Sequence, residues 1–154
     1  RNCKIEAFAT IEFLWTSTVL AELEQAIVNR LLPLQHKQLQ ILNLPEQGLR
    51  ANFEAQALVF YAGKSLETSN PSVSPSQKIW RYRFSINLQV VELRLQHSAY
   101  PFLEEIASLL EKWNPGVGRL GFFSQDSEDY VSVTDSTWIY SQSFSIPELK
   151  RGNR

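Results

Sequence analysis

The sequence predicts an α+β domain: a mainly antiparallel sheet of about four to five strands with two helices packed on it, in the order α-β-β-β-α-β-β. Three observations carry this. Two stretches repeat apolar residues at helical spacing. One central stretch alternates strictly between apolar and polar residues. Short β-like runs bounded by turn residues fill the rest.

The first helix is read in TSTVLAELEQAIVNRLLP. Thr16, Ser17 or Thr18 can cap its free N–H groups, and Glu22 or Glu24 suits its positive end. Leu20, Leu23, Ala26, Ile27 and Leu31 form its apolar stripe, and Pro33 stops it. A short strand follows in KQLQILNLP and ends by Pro45. ANFEAQALVFYAG is the second strand; its end, Leu58-Val59-Phe60-Tyr61, is apolar on both faces, as in the interior of a sheet. Residues 63–77, GKSLETSNPSVSPSQ, are rich in Ser, Asn and Pro and predict a protruding loop that closes a long hairpin.

KIWRYRFSINLQVVEL, residues 78–93, is the third strand. Trp80, Tyr82, Phe84, Ile86, Leu88 and Val90 share one face. Arg81, Arg83, Ser85, Asn87 and Gln89 share the other. At roughly 3.3 Å per residue the stretch would run about 50 Å, so part of it bends or projects as a hairpin arm.

The second helix is HSAYPFLEEIASLLEKWNPG. Ser98 can cap it and Pro101 fits its first turn. Leu103, Ile106, Ala107, Leu110 and Trp113 form its stripe, opposite Glu104, Glu105, Ser108, Glu111 and Lys112. Two closing strands are expected at 119–125 and 137–146, joined by an acidic connector holding Asp126, Glu128, Asp129 and Asp135. In the last strand Trp138, Tyr140, Phe144 and Ile146 share a face that Gln142 interrupts. The expected organisation is an arm at 1–17, one domain at 18–147 and a solvated tail at 148–154. The arm alternates from Ile5 to Trp15, so it can be an extra strand, an upstream extension or a foreign scar.

Composition bounds the function. The chain has 154 residues, 44% hydrophobic and 20% charged, which suits one globular domain. Its net charge of −1 gives no general pull toward nucleic acid or membrane. Cys3 is the sole cysteine, which excludes an intramolecular disulfide and points to a reducing compartment. No stretch has the ~20 apolar residues of a membrane span.

Chemical motifs are weak. Gly116-Val117-Gly118-Arg119-Leu120-Gly121 matches G-x-G-x-x-G, but it follows a helix and opens a strand. A dinucleotide site needs the reverse order, so it reads as a C-cap and turn. Ser98 beside His97 reads as a helix cap rather than a nucleophile, and His36 as a surface residue. One Cys and two His far apart do not make a zinc site. The acidic residues lack EF-hand spacing. Lys78, Arg81 and Arg83 read as a contact surface for an acidic partner or nucleic acid, or as charge that blunts an exposed strand. Four Trp, five Tyr and nine Phe exceed the clear needs of one core, and aromatics favour interfaces. The pattern points to an assembly part.

The ordered set of features resembles the tail terminator, or tail-completion, proteins of long-tailed phages, especially the Mu-like contractile-tail group. The resemblance spans residues 18–147. It rests on VLAELEQAIVNRL, AQALVFYAG, WRYRFSINLQVVELR, SAYPFLEEIASLLEKWNPG and LGFFSQDSEDYVSVTDSTWIYSQSFSI in that order, the last with Trp-x-Tyr leading the final strand. It implies a homo-hexameric ring that caps the tail tube, contacts the sheath or its terminator, and meets the neck or head connector. The ring would sit in the virion tail after assembly in the host cytoplasm, with the genome passing through it. It implies no enzyme activity, no cofactor, no membrane contact and no specific nucleic-acid binding. Lys64, Ser65, Leu66 and Glu67 of the loop, Arg81, Arg83, Asn87 and Gln89 of the long strand, and Asp126, Glu128 and Asp129 of the connector are the expected partner contacts, chosen for exposure. Rival readings are another head–tail joining protein, an enzyme with an unrecognised site, and a monomeric module that binds peptides by edge pairing.

Overall fold

A computed structural model describes residues 18–37, 39–43, 55–66, 79–91, 99–134 and 137–149. The chain runs α1 (Val19–Leu31), a 3-10 turn (Leu32–Lys37), β1 (Leu39–Leu42), β2 (Ala55–Leu66), β3 (Trp80–Val91), α2 (Tyr100–Leu110), β4 (Ser124–Thr134) and β5 (Thr137–Pro147). The five strands form one sheet in the order β1-β2-β3-β5-β4. β1 pairs with β2 in parallel; the other pairs are antiparallel. The α+β class and the element order are those the sequence predicts. The arm at 1–17, the cap residue Ser98, and Glu67, Lys78 and Asp135 lie outside the described residues.

Thr18 starts α1: its hydroxyl accepts the Ala21 N–H at 3.1 Å. The α-helix ends two residues before Pro33 and tightens into the 3-10 turn. Leu23, Ile27, Val28 and Leu31 are its buried residues. They meet Ala55, Ala57 and Val59 of β2 and the apolar face of β3 in one core. Phe84, Ile86, Leu88 and Val90 are buried, so their alternation faces the helices as predicted; Trp80 and Tyr82, nearer the hairpin end, are half-buried.

α2 covers the other half of that face with Phe102, Leu103, Ile106 and Leu110. Its N-cap is Ala99, with no side-chain cap bond, and Pro101 lies in the first turn. The fixed φ of proline stands in for a cap here. Trp113 lies beyond the helix end, stacked on Phe123 with 5.8 Å between ring centroids. Arg30 of α1 sits over Trp113 at 5.3 Å and donates to the Leu109 carbonyl at 3.0 Å, which ties the two helices together.

Besides the early end of α2 at Leu110, two strand boundaries depart from the sequence expectation. The strand expected at 119–125 starts only at Ser124 and runs to Thr134. Residues 112–123 form a loop closed at its base: the Lys112 N–H donates to the Phe123 carbonyl, and the Phe123 N–H to Trp113, both at 2.8 Å. Gly116 and Gly118 take positive φ inside it, and the Gly116 N–H donates to Asn114 Oδ1 at 2.7 Å. The G-x-G-x-x-G run is therefore a turn at the C-terminal end of a helix. Lys64, Ser65 and Leu66, expected in the protruding loop, are the last residues of β2 and pair with Tyr82, Arg81 and Trp80. Gly63, at φ +127°, absorbs a bulge, and the strand resumes beyond it.

Glu24 is partly buried on α1 and hydrogen-bonds Asn43; burial pushes its carboxyl pKa up, and the Asn43 bond only partly offsets this. A folded-state pKa above the unfolded one makes stability fall as pH rises through the carboxylate range. Glu24→Gln should be slightly more stable than the parent at pH 7 and equal to it below about pH 4. Urea denaturation at both pH values checks this.

Candidate interaction surface

With both helices on one side, the other side of the sheet is built from the alternate residues of each strand. The register lines them up in rows. Leu58, Asn87, Ser141 and Asp129 stand in one row across β2, β3, β5 and β4, and Phe60, Ser85, Ser143 and Ser127 in the next. The centre of this face is serine and amide with little bulk. Asn87 and Gln89 are half-buried there, and Arg83 is exposed.

One polar chain crosses three strands. Arg81 Nη1 donates to Ser145 Oγ at 3.3 Å, and the Ser145 hydroxyl donates to Asp126 Oδ1 at 3.0 Å. Ser145 is fully buried, so these two bonds, one accepted and one donated, replace what water would otherwise supply. The fold thus joins Arg81 and Asp126, two of the expected contact residues, through a third that the sequence did not single out. The alternation of Ser141, Ser143 and Ser145 marks that face; which serine meets Arg81 depends on register.

Asp126, Glu128 and Asp129 are not a connector. They lie in β4, the edge of the sheet, where bulges interrupt the ladder at Gln125/Ser127 and at Tyr130/Ser132. Glu128 accepts from Gln142 Nε2 at 2.8 Å, and the same nitrogen donates to the Leu103 carbonyl of α2 at 2.9 Å. The residue that breaks the apolar pattern of β5 is thus the buried clamp between helix, inner strand and edge strand. Its Oε1 has no hydrogen-bond partner among the described residues. Further along β4, Tyr130, Val131 and Val133 are about half exposed, at 50%, 54% and 47%. Tyr130 leans on Trp138 and Tyr140, with centroids 6.0 and 5.8 Å away.

The far end of the β2–β3 hairpin is basic and aromatic. Lys64 Nζ sits 4.4 Å from the Trp80 ring centroid. Arg83 lies over Gly63: a Cβ there would come within 3.2 Å of its Nη2. Tyr82 donates to Glu148 Oε2 at 2.9 Å; burial first, and then Glu148, push the Tyr82 phenol pKa up, so it stays the donor. This pair lines a hollow of about 240 Å³ with Val19, Arg119, Leu120 and Leu149. Ligand pockets usually hold ~300–1,000 Å³. Among the described residues no cluster of three or more His, Cys, Asp or Glu could hold a metal ion, and no helix is long and apolar enough to cross a membrane.

No protein-family model matches the sequence, and no curated protein matches it. Among solved structures, the chain is similar to one from the virion of a native gene transfer agent particle. The TM-score is 0.60 at 11% identity, over 86% of this chain and 98% of that one. The two share a fold.

Replacing Gln142 with Glu would set a buried carboxyl beside Glu128. The Gln142→Glu variant should lose about 2–3 kcal/mol at pH 7 and recover most of it near pH 4, where the new group is protonated. Denaturant midpoints at the two pH values read this directly.

Proposed function

We propose that the chain is a structural protein of a phage-like virion, and within it a tail terminator: a homo-hexameric ring that caps the tail tube, ends tube and sheath growth, and joins the tail to the neck. The observation that carries this is the shared fold, which takes in nearly the whole of a gene transfer agent virion chain. The surface agrees with it. Among the described residues the helices cover one side of the sheet, and the polar other side with its half-apolar edge suits contacts with other protein subunits. The partners under this proposal are further copies of the chain, the tube protein, the sheath or its terminator, and the neck connector. The role is mechanical and asks for no catalytic group or cofactor.

The same fold likeness also fits another head–tail joining protein, because the likeness is to a chain of a whole virion. Binding to tube ends separates the two. The mass in solution should be followed by light scattering at several concentrations and two salt levels, and purified tail tubes imaged with the protein added. Six chain masses, or a monomer that forms six-fold rings on tube ends, is the expected result. Rings that bind only the connector favour the joining role. A monomer that engages neither contradicts both.

A further inference from the structure

We infer that the outer edge of β4 is the seat for the basic end of the β2–β3 hairpin of a second copy of this chain. This rests on the ring proposal for its partner and adds the surfaces that meet.

Among the described strands β4 pairs only with β5, and none of them covers its other side. Single exposed apolar residues are ordinary. Tyr130, Val131 and Val133 are three within four residues on one sheet edge, and Tyr130 rests against the Trp138 and Tyr140 rings. Such an edge calls for a cover. The two bulges and the charges of Asp126, Glu128 and Asp129 work against indiscriminate strand addition. They also set the sign of what is admitted: β4 carries three acids and no base. A second β4 would bring three more carboxylates to the same place.

The hairpin end has the opposite character. Its described residues from Gly63 to Leu66 and from Trp80 to Arg83 include Lys64, Arg81 and Arg83 and no acid. Arg81 is engaged with Ser145 and Lys64 rests over the Trp80 ring of its own chain, which leaves the exposed Arg83 as the cation that reaches outward. Leu66 and Trp80 supply apolar surface at the same end. Edge and hairpin end are different surfaces of one chain. Their contact is head-to-tail, and it closes into a ring when the rotation allows.

Charge reversal tests this. Arg83→Glu and Asp129→Lys change exposed side chains, and their thermal melts should match the parent. Each alone should weaken self-association roughly tenfold or more at low salt, and the two together should restore it to within about threefold, as read by sedimentation equilibrium. Single variants that assemble like the parent overturn the assignment and leave the ring proposal standing. Failure of the combined variant to recover overturns direct pairing. A parent chain that stays monomeric in solution and on tube ends defeats the ring proposal itself.

Discussion

The structure depends on the two-faced strand β3. Phe84, Ile86, Leu88 and Val90 must leave water together, and only one layer of helix is available to cover them. Burying each large side chain is worth ~1.5–3 kcal/mol, so this one row weighs heavily against a marginal net stability. Once β3 turns that face to α1 and α2, the side chains between those residues must point to the other side. No second layer among the described elements covers that side. Its side chains are serines, amides and arginines, and Gln40, Gln56 and Ser145 among them are buried.

The edges follow from the same arrangement. With β3 at the centre, β5 beside it and β4 outermost, the last hairpin of the chain carries one margin of the sheet. Gln142 and Ser145 fasten that margin from opposite faces. One joins β4 to α2 through Glu128 and Leu103; the other joins it to Arg81 through Asp126. β4 is thus fixed on both sides, and no other described strand pairs with its outer edge.

Much of the fold was legible because core faces impose periodicity. The strict alternation of β3 and the stripe of Leu103, Ile106 and Leu110 each reflect burial on one side. The misplacements came where burial is incomplete. Asp126, Glu128 and Asp129 resemble a connector because an edge strand with no wholly buried face has no reason to alternate. Lys64 and Ser65 follow a glycine and look like a turn, but Gly63 is a bulge, and Trp80 across the hairpin gives Lys64 a partner. Leu120 and Phe123 look like a strand because both are buried, yet they cap the core from a clamped loop. The Arg81–Ser145–Asp126 chain needed the register of three strands, which no local pattern encodes.

Under the proposed function, partners meet the sheet margin and the polar side of the sheet, and the helices serve only to complete the core. Hydrogen–deuterium exchange on the assembled protein and on the same protein dissociated would test this most directly. Exchange should slow on assembly at the β4 amides between Glu128 and Val133 and at the hairpin end around Lys64 and Arg83, with α1 and α2 unchanged. Slowing confined to α1 and α2, with β4 exchanging as before, would contradict the account.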